Sequence, residues 1–403
     1  MDRPLFVKLT GYGLTALAAA TGFLAPVGAR SLIWLLAAFW PLLLLYIRQH
    51  GHRGWHAGPT LGGAAALTAW AALTLCWTTA PNAALEKLLQ VCAVVLPAIA
   101  IAPAITTLPG HVVRRIGMAA AVGLALGSVA LAAEIVSGYP AYTLINGHPP
   151  PYENDHSHLN QGLVMSAVLL WPIVALLTRY GHQGTAWGLA AAIILGIALL
   201  DSHSAQLGIL CGGLAFALAL RRPGTLALLT RAALVLTCIL AIPAAQAMYA
   251  AGWSTDKSLH RNWRHRVDIW EAAVAHWQEK PLFGWGLEAS RALPALPEKT
   301  FFSRFAPSRI LLHPHNLPLQ TAMELGLIGL GLLVILMLSL SRTRPRASSL
   351  GHATQWGSIA AGFAIAQAAY GAWQGWWLSG LVFAAMFALA VDARGEDGAG
   401  INT

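Results

Sequence analysis

Apolar residues run in long blocks along this chain, and polar ones come in short bursts between them. Twelve blocks approach the ~20 residues that cross a bilayer as a helix. They lie at roughly 9–28, 31–47, 60–79, 86–107, 117–136, 160–178, 185–201, 204–220, 226–250, 316–338, 353–371 and 374–391. The pattern predicts an all-α polytopic membrane protein with about twelve transmembrane helices. Connections are short except Ser137–Leu159 and Ala251–His315. The expected division is therefore 1–250 for nine helices, 251–315 for one large loop, 316–391 for three more helices and 392–403 for a polar tail. Arg3 and Lys8 ahead of the first apolar run mimic a signal peptide. A second run starts at once, from Ser31, so the first is expected to remain as an uncleaved helix.

The large loop changes periodicity rather than losing it. Trp263, Val267, Trp270, Val274 and Trp277 recur at spacings of four and three, which predicts a helix over 263–280 with one apolar stripe. At about 100° per residue, Arg266 falls roughly 60° from the stripe's centre, Arg264 roughly 100°, and His265 points away. Pro281 ends the helix, and Phe283–Gly286 reads as a tight turn.

Composition agrees. The chain is 57% hydrophobic and 10% charged, where soluble domains carry roughly 25% charged residues. Its 16 Trp suit interfacial belts. The net charge of +9 does not mark a nucleic-acid binder, because the basic residues are spread over many loops; anionic lipid or phosphate is the expected partner. With the N-terminus in the cytoplasm, the short outer loops hold only Arg30 and Lys87, so both long loops face outward and both termini inward. Cys76, Cys92, Cys211 and Cys238 lie in apolar runs without metal or redox spacing and read as buried hydrophobes.

The candidate chemistry sits in the outer loops. The large one carries Lys257, Arg261, Arg264, Arg266, Lys280, Arg291, Lys299, Arg304 and Arg309 against Asp256, Asp268, Glu271, Glu279, Glu288 and Glu298. These read either as a solvated face beside anionic lipid or as a guanidinium site for pyrophosphate, whose oxygens the planar Arg fork matches. Arg266 is the leading candidate, because it flanks the packed face.

His313-Pro314-His315-Asn316 ends this loop. Asn316 is a good N-cap for the apolar helix that follows, with Pro318 in its first turn. His315 then precedes the cap, where the helix dipole favours an anion and a neutral imidazole, the form a general base needs. The alternative is a His that merely braces a helix start. His313 is the rival base; Pro314 holds it extended, so the two rings need not point the same way. Glu324, two to three turns into the span, requires a partner there, in the loop or in a neighbouring helix. Glu134 and Asp201 raise the same question. The cluster Glu153, Asn154, Asp155, His156, Ser157 and His158 has no metal-ligand spacing and suits polar sugar contacts better; Asp201–Gln206 is similar.

These features resemble the O-antigen ligase and polymerase superfamily of bacterial envelope glycosyltransferases. The resemblance is carried by about twelve spans with one large late loop, by Arg266-x-x-x-Trp270 leading into Pro281-Leu-Phe-Gly-x-Gly286, and by His315-Asn316 followed by Gly326-x-x-Gly329. Trp77–Lys87 is similar too. It implies a multi-pass protein of the bacterial inner membrane with its active site at the periplasmic face. The donor would be an undecaprenyl-pyrophosphate-linked glycan and the acceptor a lipid A–core sugar hydroxyl, for an O-antigen ligase. His315, or His313, would be the base, Arg266 the pyrophosphate clamp, and Asn316, Glu324 and His156 part of substrate binding. Metal-independent, inverting transfer without a cofactor is expected. A polymerase with the same donor is the nearest alternative; a protein-glycosylating ligase and a lipid-linked glycan flippase are others. Members often carry Ser-Arg at the outer end of a middle helix, where this chain reads Ser202-His203-Ser204-Ala205. A second anion-binding group must then come from Arg264, Arg291, Arg309 or His203.

Overall fold

A computed structural model describes residues 3–51, 56, 58–149, 159–200, 202–293, 313–345 and 347–393. Among them the chain is helical without strands: α1 (Arg3–Val27), α2 (Leu32–Gln49), α3 (Pro59–Leu73), α4 (Pro81–Gln90), α5 (Leu96–Ile101), α6 (Gly110–Val136), α7 (Pro140–Asn146), α8 (Asn160–Arg179), α9 (Gln183–Leu199), α10 (His203–Arg221), α11 (Pro223–Ala250), α12 (Arg261–Glu279), α13 (Leu317–Leu340), α14 (Ser349–Ala366) and α15 (Gly375–Ala390).

Among the described residues, eight helical stretches are long and apolar enough to cross a membrane. They are Ala29–Gln49, Pro59–Cys76, Pro81–Thr107, Gly110–Val136, Asn160–Arg179, His203–Arg221, Pro223–Ala250 and Leu317–Leu340. Helices α9 and α15 are apolar but shorter, at 17 and 16 residues, and α1 and α14 fall outside the set. The protein is a polytopic membrane protein; by length and composition eight of its described helical stretches qualify as spans, against the twelve expected. Proline explains one irregularity. Pro97 and Pro103 lack an N–H, and Pro81–Thr107 divides into α4, a π-helical turn at Val91–Val95, α5 and a 3₁₀ stretch.

Helix α8 is the axis. Its apolar window is 89% buried against 22% for α11, and α1, α6, α9, α10, α14 and α15 pack around it. Helices α1 and α6 meet backbone to backbone. A Cβ at Gly22 would lie 2.2 Å from the Ala120 carbonyl oxygen, and one at Gly123 2.1 Å from that of Ala19. Small residues drive such packing where lipid supplies no hydrophobic contrast.

The loop helix forms where its stripe predicts, with Val267, Trp270 and Val274 buried against α11 and α13. Glu134 is a structural group: it accepts from the Ala141 and Tyr142 amides at 3.2 and 2.7 Å and fixes the start of α7. Residues 294–312 lie outside the described set, as do Asp155, His156, Asp201 and Arg309.

Candidate active site

The site is built on a broken helix. Gly326 in α13 has φ 67° and ψ −170°, which interrupts the helical hydrogen bonds. In hydrocarbon such a break is tolerated only where protein re-satisfies the freed groups. Here the Pro281–Gly286 turn does so. The Trp285 and Gly286 amides donate to the Met323 and Glu324 carbonyls at 3.0 and 2.7 Å. The Leu327 amide donates to the Pro281 carbonyl at 2.9 Å, and the Trp70 indole to the Leu325 carbonyl at 2.9 Å. The approach excludes side chains: a Cβ at Gly326 would sit 2.1 Å from the Leu282 carbonyl oxygen, and one at Gly284 2.4 Å from that of Glu324. The segment after α3 locks the other side. Thr78 Oγ1 donates to the Leu287 carbonyl at 2.7 Å, and the Leu287 amide to Thr74 Oγ1 at 3.0 Å.

Glu324 lies fully buried at this joint with four donors. The Glu288 amide and the Trp373 indole reach Oε2 at 3.1 and 2.7 Å; Ser290 Oγ and Gln320 Nε2 reach Oε1 at 2.6 and 3.1 Å. Its partners are thus uncharged, and it ties the loop to α13 and to the segment between α14 and α15. Among the described residues it pairs with neither an Arg nor a His directly.

Above the joint sits His313–Asn316. Asn316 caps α13 as expected, accepting from the Leu319 amide at 3.0 Å, while its Nδ2 donates to the Gln367 carbonyl at 3.3 Å. The Trp270 indole of α12 donates to the Pro314 carbonyl at 2.9 Å. His315 adopts φ 55°, a left-handed conformation that costs a non-glycine residue on the order of 1–3 kcal/mol. The strain brings its ring to the ring of His313, with centroids 4.1 Å apart at 63°. Residues 367–374 wrap this pair. Gly371 packs on the His313 ring, Gln374 Nε2 lies 3.4 Å from His313 Nε2, and the Ala372 amide donates to Gln320 Oε1 at 2.8 Å.

Arg266 faces the same space. Its guanidinium lies 5.9 Å from the Trp263 ring, its charge acts on His315 and Tyr370, and among the described residues no carboxylate pairs with it. Burial pulls Arg266 below its usual range without neutralising it. Burial also pushes His315 down to about 3, aided by His313, Arg266 and His265. It pushes His313 to about 4, aided by Arg291, and His265 to about 4, aided by Arg266 and Arg261. All three imidazoles are therefore neutral at pH 7. Burial and cationic neighbours, rather than the helix dipole alone, keep His315 unprotonated. His265 corrects the sequence reading: it does not point away to solvent but lies partly buried within reach of His315.

Three helix starts converge beside these groups. Asn160 opens α8 and receives hydrogen bonds from the hydroxyls of Ser202 and Ser204 at the start of α10, the latter at 3.2 Å. Tyr370, which feels the Arg266 charge, lies against Asn160, and α13 begins just past His315. Helix starts favour anions. A half-buried cation without a counterion among the described residues, neutral imidazoles and converging helix starts together suit an anionic ligand and a proton acceptor next to it.

The expected residues distribute unevenly. His313, His315, Asn316 and Arg266 come together. Arg291 is engaged by Glu288 in an ion pair, although its charge still reaches His313. The charge of Arg264 acts on Asp256. His203 is exposed and its ring lies 5.7 Å from that of His260. Arg309 and His156 are outside the described residues. No group of three His, Cys, Asp or Glu among the described residues is placed to share a metal ion. Sequence reading missed segment 367–374, which it assigned to the end of one span and the start of the next. Gln367, Tyr370 and Gln374 inside an apolar stretch were the available signal.

Residues 188–343, which include α12, the turn, the His pair and α13, match the family model described as O-antigen ligase. A Rickettsia felis protein provisionally named polysaccharide ligase is 27% identical over 226 residues, 55% of each chain. Counterparts in Rickettsia prowazekii and Rickettsia bellii are 25% and 26% identical over 238 and 232 residues, 58% and 56% of each chain. The chain spans a little over half the length of these curated relatives. No solved structure matches it. The matches bear out the resemblance to the O-antigen ligase superfamily.

Proposed function

We propose that the chain, an O-antigen-ligase-type membrane enzyme, is a glycosyltransferase that moves O-antigen polysaccharide from undecaprenyl pyrophosphate to a lipid A–core hydroxyl. In this reading about twelve spans cross the inner membrane, counting the shorter helices, with both termini in the cytoplasm and the site at the periplasmic face. One observation carries the assignment: Arg266, half-buried and without a carboxylate partner among the described residues, faces a neutral His315 held at a helix start.

His315 takes the proton from the acceptor hydroxyl as that oxygen attacks the anomeric carbon, an effect typically of ~10²–10⁴-fold. Arg266 stabilises the charge that grows on the departing pyrophosphate. Burial and its cationic neighbours make His315 a weak base, with its proton affinity down at about 3. A bound pyrophosphate offsets the neighbouring cations and raises that affinity when the acceptor arrives. His313, packed on His315, steers its ring, and Glu324 positions the loop from below. Displacement is direct and inverting, with guanidinium in place of a divalent cation.

A polymerase would use the same donor with a second lipid-linked glycan as acceptor. The lipopolysaccharide of a deletion strain separates the two. Free core with accumulated lipid-linked polymer is the expected result; core bearing a single repeat unit would make the protein a polymerase.

A further inference from the structure

At the start of α10 the chain reads Ser202-His203-Ser204-Ala205, so no guanidinium from that helix start stands beside Arg266. What stands in that region is Tyr370. Its φ of 58° makes it, with His315, one of two left-handed non-glycine residues that flank Arg266. Nothing in the packing of an ordinary interhelical turn calls for a tyrosine in that conformation, and such strain clusters where a side chain must be aimed. The aim is visible. Segment 367–374 is anchored at both sides of Tyr370, by Asn316 on the Gln367 carbonyl and by the Ala372 amide on Gln320. The Tyr370 ring is held by Trp376 and Trp377, at centroid distances of 4.8 and 6.1 Å.

The hydroxyl oxygen is fully buried and makes no hydrogen bond within normal geometry, although the Asn160 side chain approaches it. A buried O–H without an acceptor is costly because its lost hydration is not replaced, and such groups require an explanation. Asn160 is already turned by its neighbours: its Oδ1 accepts from Ser202 and Ser204, which leaves its amide nitrogen, a donor, for the Tyr370 oxygen. A phenol that can receive from Asn160 keeps its own proton free. Beside it lies the cation Arg266. The one kind of partner that both would seek is an anionic oxygen.

We propose that the Tyr370 hydroxyl donates a hydrogen bond to the same phosphate oxygens that Arg266 binds, so that a neutral phenol supported by Asn160 serves as a second donor beside that single guanidinium. This rests on the reading of Arg266 as a pyrophosphate clamp. Tyr370 is then a ligand-binding residue of the site, and its contribution is directional rather than coulombic.

Tyr370→Phe removes only the hydroxyl and keeps the ring on Trp376 and Trp377. Inorganic pyrophosphate binding, measured by calorimetry on purified full-length protein in detergent, should weaken roughly ten- to a hundred-fold, the range for one hydrogen bond to a charged group. Equal affinity in both proteins overturns the proposal. If the variant misfolds, 3-fluorotyrosine at position 370 in the intact protein provides the second reading. Its ¹⁹F resonance should move on addition of pyrophosphate, and an unmoved resonance at saturation overturns the proposal. Glycan transfer is followed separately. A wild type that binds pyrophosphate through Tyr370 yet transfers no glycan leaves this inference standing and removes the ligase reading instead.

Discussion

Helices α1 and α6 and the broken helix α13 use glycine for opposite ends. At Gly22 and Gly123 the missing side chains let two intact helices touch along their backbones. Every amide there stays in its own helix, and the result is a rigid apolar pair. At Gly326 the missing side chain allows a left-handed backbone, the helix opens, and its freed groups are handed to the Pro281–Gly286 turn. The first arrangement only stabilises. The second also places chemistry: it fixes the loop that carries Arg266 and sets Glu324 beneath the His pair. In a membrane an interrupted helix must be repaired by protein, so the repair site and the functional site coincide here.

The largest break in that contrast should come from His315→Ala. Transfer to core should fall by ~10²–10⁴-fold, the scale of general base catalysis, with unfolding temperature unchanged. Wild-type turnover in His315→Ala together with loss in His313→Ala would give the proton to His313.

Next is Arg266→Lys, expected to lose on the order of 10²–10³-fold, close to Arg266→Ala. An ammonium has the charge but not the fork. Recovery of most activity with Lys would reduce Arg266 to general positive potential.

Glycine to alanine tests the two uses directly. In Gly123→Ala the new Cβ meets the Ala19 carbonyl oxygen at 2.1 Å, and overpacking should cost ~1–3 kcal/mol of stability while folded molecules keep their turnover. In Gly326→Ala a similar loss of stability should come with loss of turnover, because the turn no longer seats. Equal turnover per folded molecule in both variants would show that the break has no role in placing the site.

The smallest effect concerns pH. With His315 and His313 held down at about 3 and 4, both are neutral in the free protein far below the usual 6.5. The acid limb of kcat/KM, which reports free enzyme, should therefore lie well below pH 6.5 and move up in kcat once pyrophosphate is bound. A kcat/KM limb at 6.5 would mean an exposed base.

Much of this was legible in the residues. Runs of apolar side chains fix helices locally, and the stripe of α12 and the Asn316 cap are short-range signals, so all were read from spacing. What escaped was long-range. Gly326 finds its partners some forty residues earlier, and no local pattern links a glycine in an apolar run to a Pro-Leu-Phe-Gly turn. His265 is off the stripe by angle, yet it is partly buried and its charge would act on His315, across some fifty residues of chain. Tyr370 and Gln374 fall within the apolar blocks 353–371 and 374–391, yet helix α14 ends at Ala366, five residues before its block does. The number of spans is not set by hydropathy alone for a related reason: hydropathy records apolar length, while α9 and α15 are short.

The most direct test is transfer by purified protein given undecaprenyl-pyrophosphate-linked glycan and lipid A–core, after chelation of divalent cations. Glycan should appear on the core at the unchelated rate and be lost in His315→Ala. Loss on chelation with recovery on added Mg²⁺ would contradict the guanidinium clamp, and no transfer under any condition would contradict glycosyl transfer itself.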